Sequence, residues 1–169
     1  MGLMRRATIP SAVLAVPAIL TSHIAAATAR LYVNVSSVGN VGAGEDDLMS
    51  YTMPAETMNV ANRGVRIIAW GTTAANSNQK TINLYFGATI LRMIGPVPSN
   101  NTAWRIEATI LRVTETTQKA SGTSIVGTNP NSDVTAPVED LSTDTLIKVT
   151  GEGTVNDDVL QEGMIIQLL

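Results

Sequence analysis

Beyond Arg30 the chain alternates apolar and polar residues with a period of two, the pattern of strands that bury one face. Leu31, Val33 and Val35 alternate with Tyr32, Asn34 and Ser36. After a glycine-rich turn from Gly39 to Gly44 and the acidic Glu45-Asp46-Asp47, Met49, Tyr51 and Met53 alternate with Leu48, Ser50 and Thr52, and Pro54 stops the strand. Val65 to Thr73 sets Val65, Ile67 and Ala69 against Ile68 and Trp70. Two apolar faces predict a central strand covered on both sides. The polar turn Asn76-Ser77-Asn78-Gln79 leads into Thr81 to Phe86, where Ile82, Leu84 and Phe86 share a face; together they predict a hairpin.

A short strand from Ala88 to Met93 ends at Gly95-Pro96-Val97-Pro98. The longest follows, from Thr102 to near Thr117, with Trp104, Ile106, Ala108 and Ile110 on one face before the apolar set moves to Leu111 and Val113. That switch predicts a bulge or bend near Ile110. Further strands fit Ser124 to Gly127, Val134 to Val138, Thr145 to Gly151 and Met164 to Leu169. About nine or ten short strands, with no helix after Arg30, predict an all-β antiparallel sandwich of jelly-roll type. The closing Met164-Ile165-Ile166-Gln167-Leu168-Leu169 is too apolar for an exposed edge and is expected inside the sandwich or against a partner.

The first 30 residues break this pattern. They are apolar and basic, with Arg5, Arg6 and Arg30 and no acid. Pro10 and Pro17 interrupt the apolar run, against a signal peptide or a membrane-spanning helix. The expected organisation is an extended attachment arm over residues 1–30 and one sandwich domain over residues 31–169. Arg5, Arg6, Leu14, Val16, Ile19 and Leu20 are the arm's candidate partner-binding residues.

Composition narrows function mainly by exclusion. With 169 residues and 44% hydrophobic content the chain can bury one sizeable core. A net charge of −3, with eight acids against Lys148 alone from Asp133 onward, argues against a nucleic-acid surface. No cysteine is present, so disulfides and thiolate metal sites are excluded. The single histidine, His23, lies in the arm without a positioned network, so a Ser-His-Asp hydrolase and a zinc site are poorly supplied.

Glu107 and Glu115 are the candidate paired carboxylates of a glycosidase, but their Thr and Arg neighbours read as a solvated face. Glu45-Asp46-Asp47 and Asp157-Asp158 offer oxygen ligands to calcium, yet lack the spaced D-x-D-x-D-G pattern. Trp70, Trp104, Tyr51 and Tyr85 are candidates for a sugar-stacking platform, with burial of the tryptophans in the core the favoured reading. No catalytic, metal or cofactor residue is assigned, and no enzyme activity is expected.

Several runs carry a resemblance: Val38 to Ala55, Arg66 to Asn76, Lys80 to Gly87, Glu139 to Ser142 and Ile147 to Gly153. Together they resemble small jelly-roll structural proteins of tailed bacteriophages, over about residues 31 to 169. The resemblance implies a homotrimeric virion protein, first of all a capsid decoration (cement) protein bound to the major capsid protein or another virion protein, without direct nucleic-acid or membrane contact. The alternative it leaves is a tail-fibre or head-fibre module contacting the host surface; a third reading, from a different class, is a carbohydrate-binding β-sandwich module or glycosidase.

Overall fold

The alternation seen in sequence builds a two-layer sandwich because each long strand has one apolar side to hide. The computed structural model describes residues 29–169, with eleven strands and no α-helix among them. In chain order these are β1 (Arg30–Asn34), β2 (Val38–Gly39), β3 (Gly44–Met53), β4 (Gly64–Thr73), β5 (Lys80–Phe86), β6 (Thr89–Val97), β7 (Ala103–Arg112), β8 (Gln118–Val126), β9 (Asn129–Thr135), β10 (Thr145–Gly153) and β11 (Val159–Leu168). The seven-stranded sheet runs β1-β11-β4-β7-β8-β9, with β2 also on β11, and the four-stranded sheet runs β3-β10-β5-β6. Every pairing is antiparallel.

Set aside β2, β8 and β9, and the remaining strands pair first with last: β1 with β11, β3 with β10, β4 with β7, β5 with β6. That nesting is a long hairpin rolled on itself, the jelly-roll topology expected from the sequence. The β8–β9 hairpin is an addition that extends the larger sheet past β7. It faces β6, the edge of the smaller sheet.

The core lies between the layers. Val65, Ile67 and Ala69 of β4, Ile106, Ala108 and Ile110 of β7, and Met164 and Ile166 of β11 meet Ile82, Leu84 and Phe86 of β5 and Ile147 and Val149 of β10. Each such large side chain contributes roughly 1.5–3 kcal/mol. Trp104 is 2% exposed, as its face on β7 predicts, and its indole N–H donates to the Thr72 carbonyl at 3.2 Å. The closing strand is inserted between β1 and β4, so its apolar residues are covered within the chain.

Four expectations are corrected. The turn at Asn76–Gln79 does not close a hairpin, because β4 and β5 belong to different sheets. The turn instead carries the chain across the sandwich, and its polar residues pin that crossing, as described below. The face switch near Ile110 marks the end of β7 rather than a bulge. The β7–β8 register is unbroken, and Val113 and Thr114 both donate to the Thr117 carbonyl in the connecting turn.

Strand β3 begins earlier than expected, at Gly44, and carries a bulge between the pairs Met49–Val149 and Asp47–Thr150. The extra residue sends Leu48 and Met49 both into the core and turns Asp47 and Glu45 outward. Finally, β4 is central but covered on one face only. Ile68 and Trp70 lie on the outer surface of the larger sheet and remain partly exposed.

Candidate functional site

Trp70 stands out because the backbone makes room for it. On the outer face its neighbours across the strands are Gly163 of β11 and Arg105 of β7. A Cβ built on Gly163 would lie 2.6 Å from both Cε2 and Cη2 of the Trp70 ring and closer still to Cζ2, the atom bonded to both. A point reaching Cζ2 from the rim would lie farther from both neighbours than one over the ring, and the 2.6 Å distances place it over the ring face. The indole therefore lies flat on bare β11 backbone, where only glycine leaves the space. The ring is half-buried on the outer face of the larger sheet.

Polar groups border this ring. Thr72 donates its hydroxyl to Glu162 Oε1 at 3.2 Å. Glu107 accepts from Arg66 Nε at 2.7 Å and from Arg105 Nη2 at 2.8 Å. The row through Trp70 continues to Arg105, Ile125 and Pro130, and so crosses the sheet from β4 to its edge at β9. The adjacent row, Val33–Ile165–Ile68, is apolar.

At that edge lies a cleft with a volume of about 860 Å³, between β6 and the β8–β9 hairpin. A register shift in β6 opposite Leu84/Tyr85 turns both Leu91 and Arg92 inward. Arg92 crosses to the opposite sheet, where its Nε donates to Ser124 Oγ at 2.9 Å. Its side chain is 8% exposed, and its Nη1 stands 3.7 Å from Asp133 Oδ2. Ser99 also lines the cleft; its Oγ is enclosed and makes no hydrogen bond among the described residues.

The other aromatic candidates fall elsewhere. Tyr51 stacks on Tyr32 with ring centroids 5.3 Å apart. Tyr85 lies on the outer face of the smaller sheet, with Lys148 Nζ 5.3 Å from its ring centroid and with its hydroxyl donating to Glu45 Oε1 at 2.9 Å. The same Glu45 oxygen accepts from Asn83 Nδ2 at 3.0 Å and Thr150 Oγ1 at 2.5 Å. The Thr150 and Asn83 bonds hold the Glu45 carboxyl below its usual range. Burial, and then the neighbouring Glu45, push the Tyr85 phenol up. That face is polar and its Tyr85 hydroxyl is tied to Glu45, so the four aromatics do not form one platform. Trp70, half-buried like Tyr51 and Tyr85, is the one of the four that lies flat on a glycine of the outer face.

The carboxylate candidates are spoken for. Asp46 accepts from the Val41 amide at 2.8 Å, and Asp47 from Lys148 at 2.7 Å, so the three acids from Glu45 to Asp47 diverge. Asp158, 0% exposed, accepts from Asn76 Nδ2 at 2.6 Å, Asn78 Nδ2 at 2.9 Å and the Thr154 and Val155 amides at 2.7 and 3.0 Å. Burial is the largest single influence on this carboxyl and acts to raise its pKa. The four N–H donors together outweigh it and hold the group well below the carboxylate range.

The buried Lys80 ammonium completes the knot by donating to Asn76 Oδ1 at 2.7 Å and to the Asn76 and Asn78 carbonyls at 3.1 and 3.0 Å. These groups fix the crossing from β4 to β5, a structural task. Glu107 is clamped mid-strand by two arginines, whereas Glu115 sits in the β7–β8 turn near Arg112. Among the described residues no three His, Cys, Asp or Glu side chains converge as a metal site. His23 and the arm candidates Arg5, Arg6, Leu14, Val16, Ile19 and Leu20 lie outside the described residues.

Sequence reading missed Arg92, Asp133 and the part played by Gly163. Signals for two of them were present: a lone arginine inside the apolar run Ile90 to Ile94, and a glycine inside a strand pattern.

No protein-family model matches this sequence, and no curated protein matches it. Among solved structures, the sandwich is distantly similar to the CBM2 module of the evolved Dit of Lactobacillus casei BL23 phage J-1, with 11% identity over 83% of this chain and 95% of that one and a TM-score of 0.36. It is also distantly similar to a protein of unknown function from Shewanella oneidensis MR-1, with 11% identity over 83% of this chain and 77% of that one and a TM-score of 0.35.

Proposed function

We propose that this chain is a non-enzymatic, carbohydrate-binding β-sandwich module of a phage particle, with Trp70 as the stacking surface for a sugar ring. The observation that carries the reading is the indole laid flat on Gly163 and half-buried on the outer face of the larger sheet. A pyranose presents C–H groups on its faces and hydroxyls at its rim. Covering the indole with such a face removes apolar area from water at about 25 cal/mol per Å². The rim hydroxyls then meet Arg105, directly across from Trp70, and the neighbouring Glu107, Glu162 and Thr72. The virion setting comes from the resemblance of the sequence to tailed-phage structural proteins.

The test is to titrate the full chain with a panel of neutral and acidic oligosaccharides while following tryptophan emission. A saturable blue shift with at least one sugar is the expected result. No response to any member of the panel contradicts the reading.

A second reading keeps the expected homotrimeric decoration protein. It is favoured by the apolar row Val33–Ile165–Ile68, which a second copy of the chain would cover, and by the resemblance. Attachment to the major capsid protein or another virion protein would then fall to the arm. Sedimentation of the full chain at micromolar concentration, with and without Ile68→Glu, tests it: a trimer that dissociates in the variant supports this reading, and a monomer in both removes it.

A further inference from the structure

We infer that the cleft between β6 and the β8–β9 hairpin is a second subsite for the same glycan, and that it takes a carboxylate-bearing sugar, a uronic acid, on the Arg92 guanidinium. This rests on the carbohydrate-binding reading and extends it by naming the ligand's charge and its second point of contact.

Arg92 is 7% exposed, and its guanidinium borders the cleft. A guanidinium stays charged at any relevant pH and, once withdrawn from water, needs partners for its planar fork of donors. Only Nε is hydrogen-bonded among the described residues, to Ser124. Asp133 stands 3.7 Å from Nη1, beyond hydrogen-bond reach, and its own side chain is 61% exposed on the edge strand β9. Asp133 thus offsets part of the charge without filling the fork. A ligand carboxylate matches that fork with two parallel N–H···O bonds.

The surroundings suit a sugar rather than a bare anion. The volume of about 860 Å³ falls in the range of small-molecule pockets. Asn100, Asn129 and Asn131 offer both donors and acceptors, and the unpartnered Ser99 hydroxyl offers one more of each. Val97 and Pro130 supply apolar walls.

Position links the two subsites. Pro130 lines the cleft and ends the row Trp70–Arg105–Ile125–Pro130. Three inter-strand steps of about 4.8 Å separate its ends, roughly 14 Å, within reach of a short oligosaccharide. A shallow depression lined by Arg105, Thr123 and Ile125 lies on that path. One glycan chain can therefore lie across the strands, with one ring on Trp70 and an acidic ring around the edge at Arg92.

The experiment measures binding of the full chain to oligosaccharides containing glucuronate, galacturonate or mannuronate. Each is paired with its carboxyl-reduced form and with a phosphorylated analogue of the reduced form. The wild type is expected to prefer at least one uronate over its reduced partner by tenfold or more, as expected for on the order of 1.4 kcal/mol from a charge-assisted bidentate contact. Arg92→Gln, which removes the charge, should lose that preference, whereas Arg92→Lys should keep only part of it. Because Arg92 is buried, Asp133→Asn on the exposed edge provides an independent check. It should tighten uronate binding by up to about fivefold, by removing a competing carboxylate, and leave the reduced form unchanged. Equal binding of acid and reduced forms overturns the carboxylate subsite while leaving the glycan reading intact. Preference for the phosphorylated analogue alone overturns it as well. Binding of no sugar at all overturns both.

Discussion

The indole of Trp70 lies flat against the backbone of Gly163, one strand away, on the outer face of the larger sheet. Inside the same sheet Trp104 meets Gly71 in a similar way: a Cβ on Gly71 would lie 2.8 Å from Cζ2 of Trp104. Two tryptophans thus use two glycines on opposite faces, one for packing and one for display. In Gly163→Ala the new methyl must displace the Trp70 ring, at a cost of about 1–3 kcal/mol in overpacking. Thermal unfolding should show that loss, and glycan affinity should fall with it. Full affinity in a folded Gly163→Ala protein would separate the ring's placement from binding.

Trp104 gives the contrasting case. Its ring is buried and its N–H is satisfied by Thr72, so Trp104→Ala is expected to cost about 3–5 kcal/mol through lost transfer energy and a cavity. Chemical denaturation measures this directly. Trp70→Ala should cost distinctly less in the same assay, because its ring is partly exposed.

How much of this was legible beforehand depended on what each pattern encodes. Period-two alternation reports which side of a strand is apolar. It placed Ile106, Ile110, Ile82 and Leu84 correctly, while the apolar closing strand, expected inside the sandwich or against a partner, lies between β1 and β4. Alternation does not say what covers an apolar side. Ile68 and Trp70 therefore looked as buried as Val65 and Ile67 until the sheet order left one face of β4 open. Sheet membership was equally silent: Asn76 to Gln79 reads as a hairpin turn, although its amides are needed across the sandwich by Asp158. Arg92 became a site residue only when β6 met β8 and β9 in space.

Asp158 gives the fold an acid-sensitive pin. Its folded pKa is depressed, so its stabilising contribution is complete above the ordinary aspartate value of about 3.9. That contribution is lost as pH falls from there toward the folded value. The melting temperature is expected to drop below about pH 4. In Asp158→Asn the protein should lose about 3 kcal/mol at neutral pH and show a shallower acid slope. An unchanged acid slope in that variant would assign the acid sensitivity to other carboxylates.

The central claim is that Trp70, half-buried on the outer face of the larger sheet, is a ligand surface. The most direct measurement is isothermal titration of the full-length protein and Trp70→Ala with the tightest-binding oligosaccharide of the panel, alongside the melting temperature of each. The expected result is at least a tenfold loss of affinity in a variant that still unfolds as a single cooperative transition, corresponding to about 1.4 kcal/mol or more of stacking free energy. Equal affinity in the two proteins would contradict the account and leave Trp70 as part of an assembly surface.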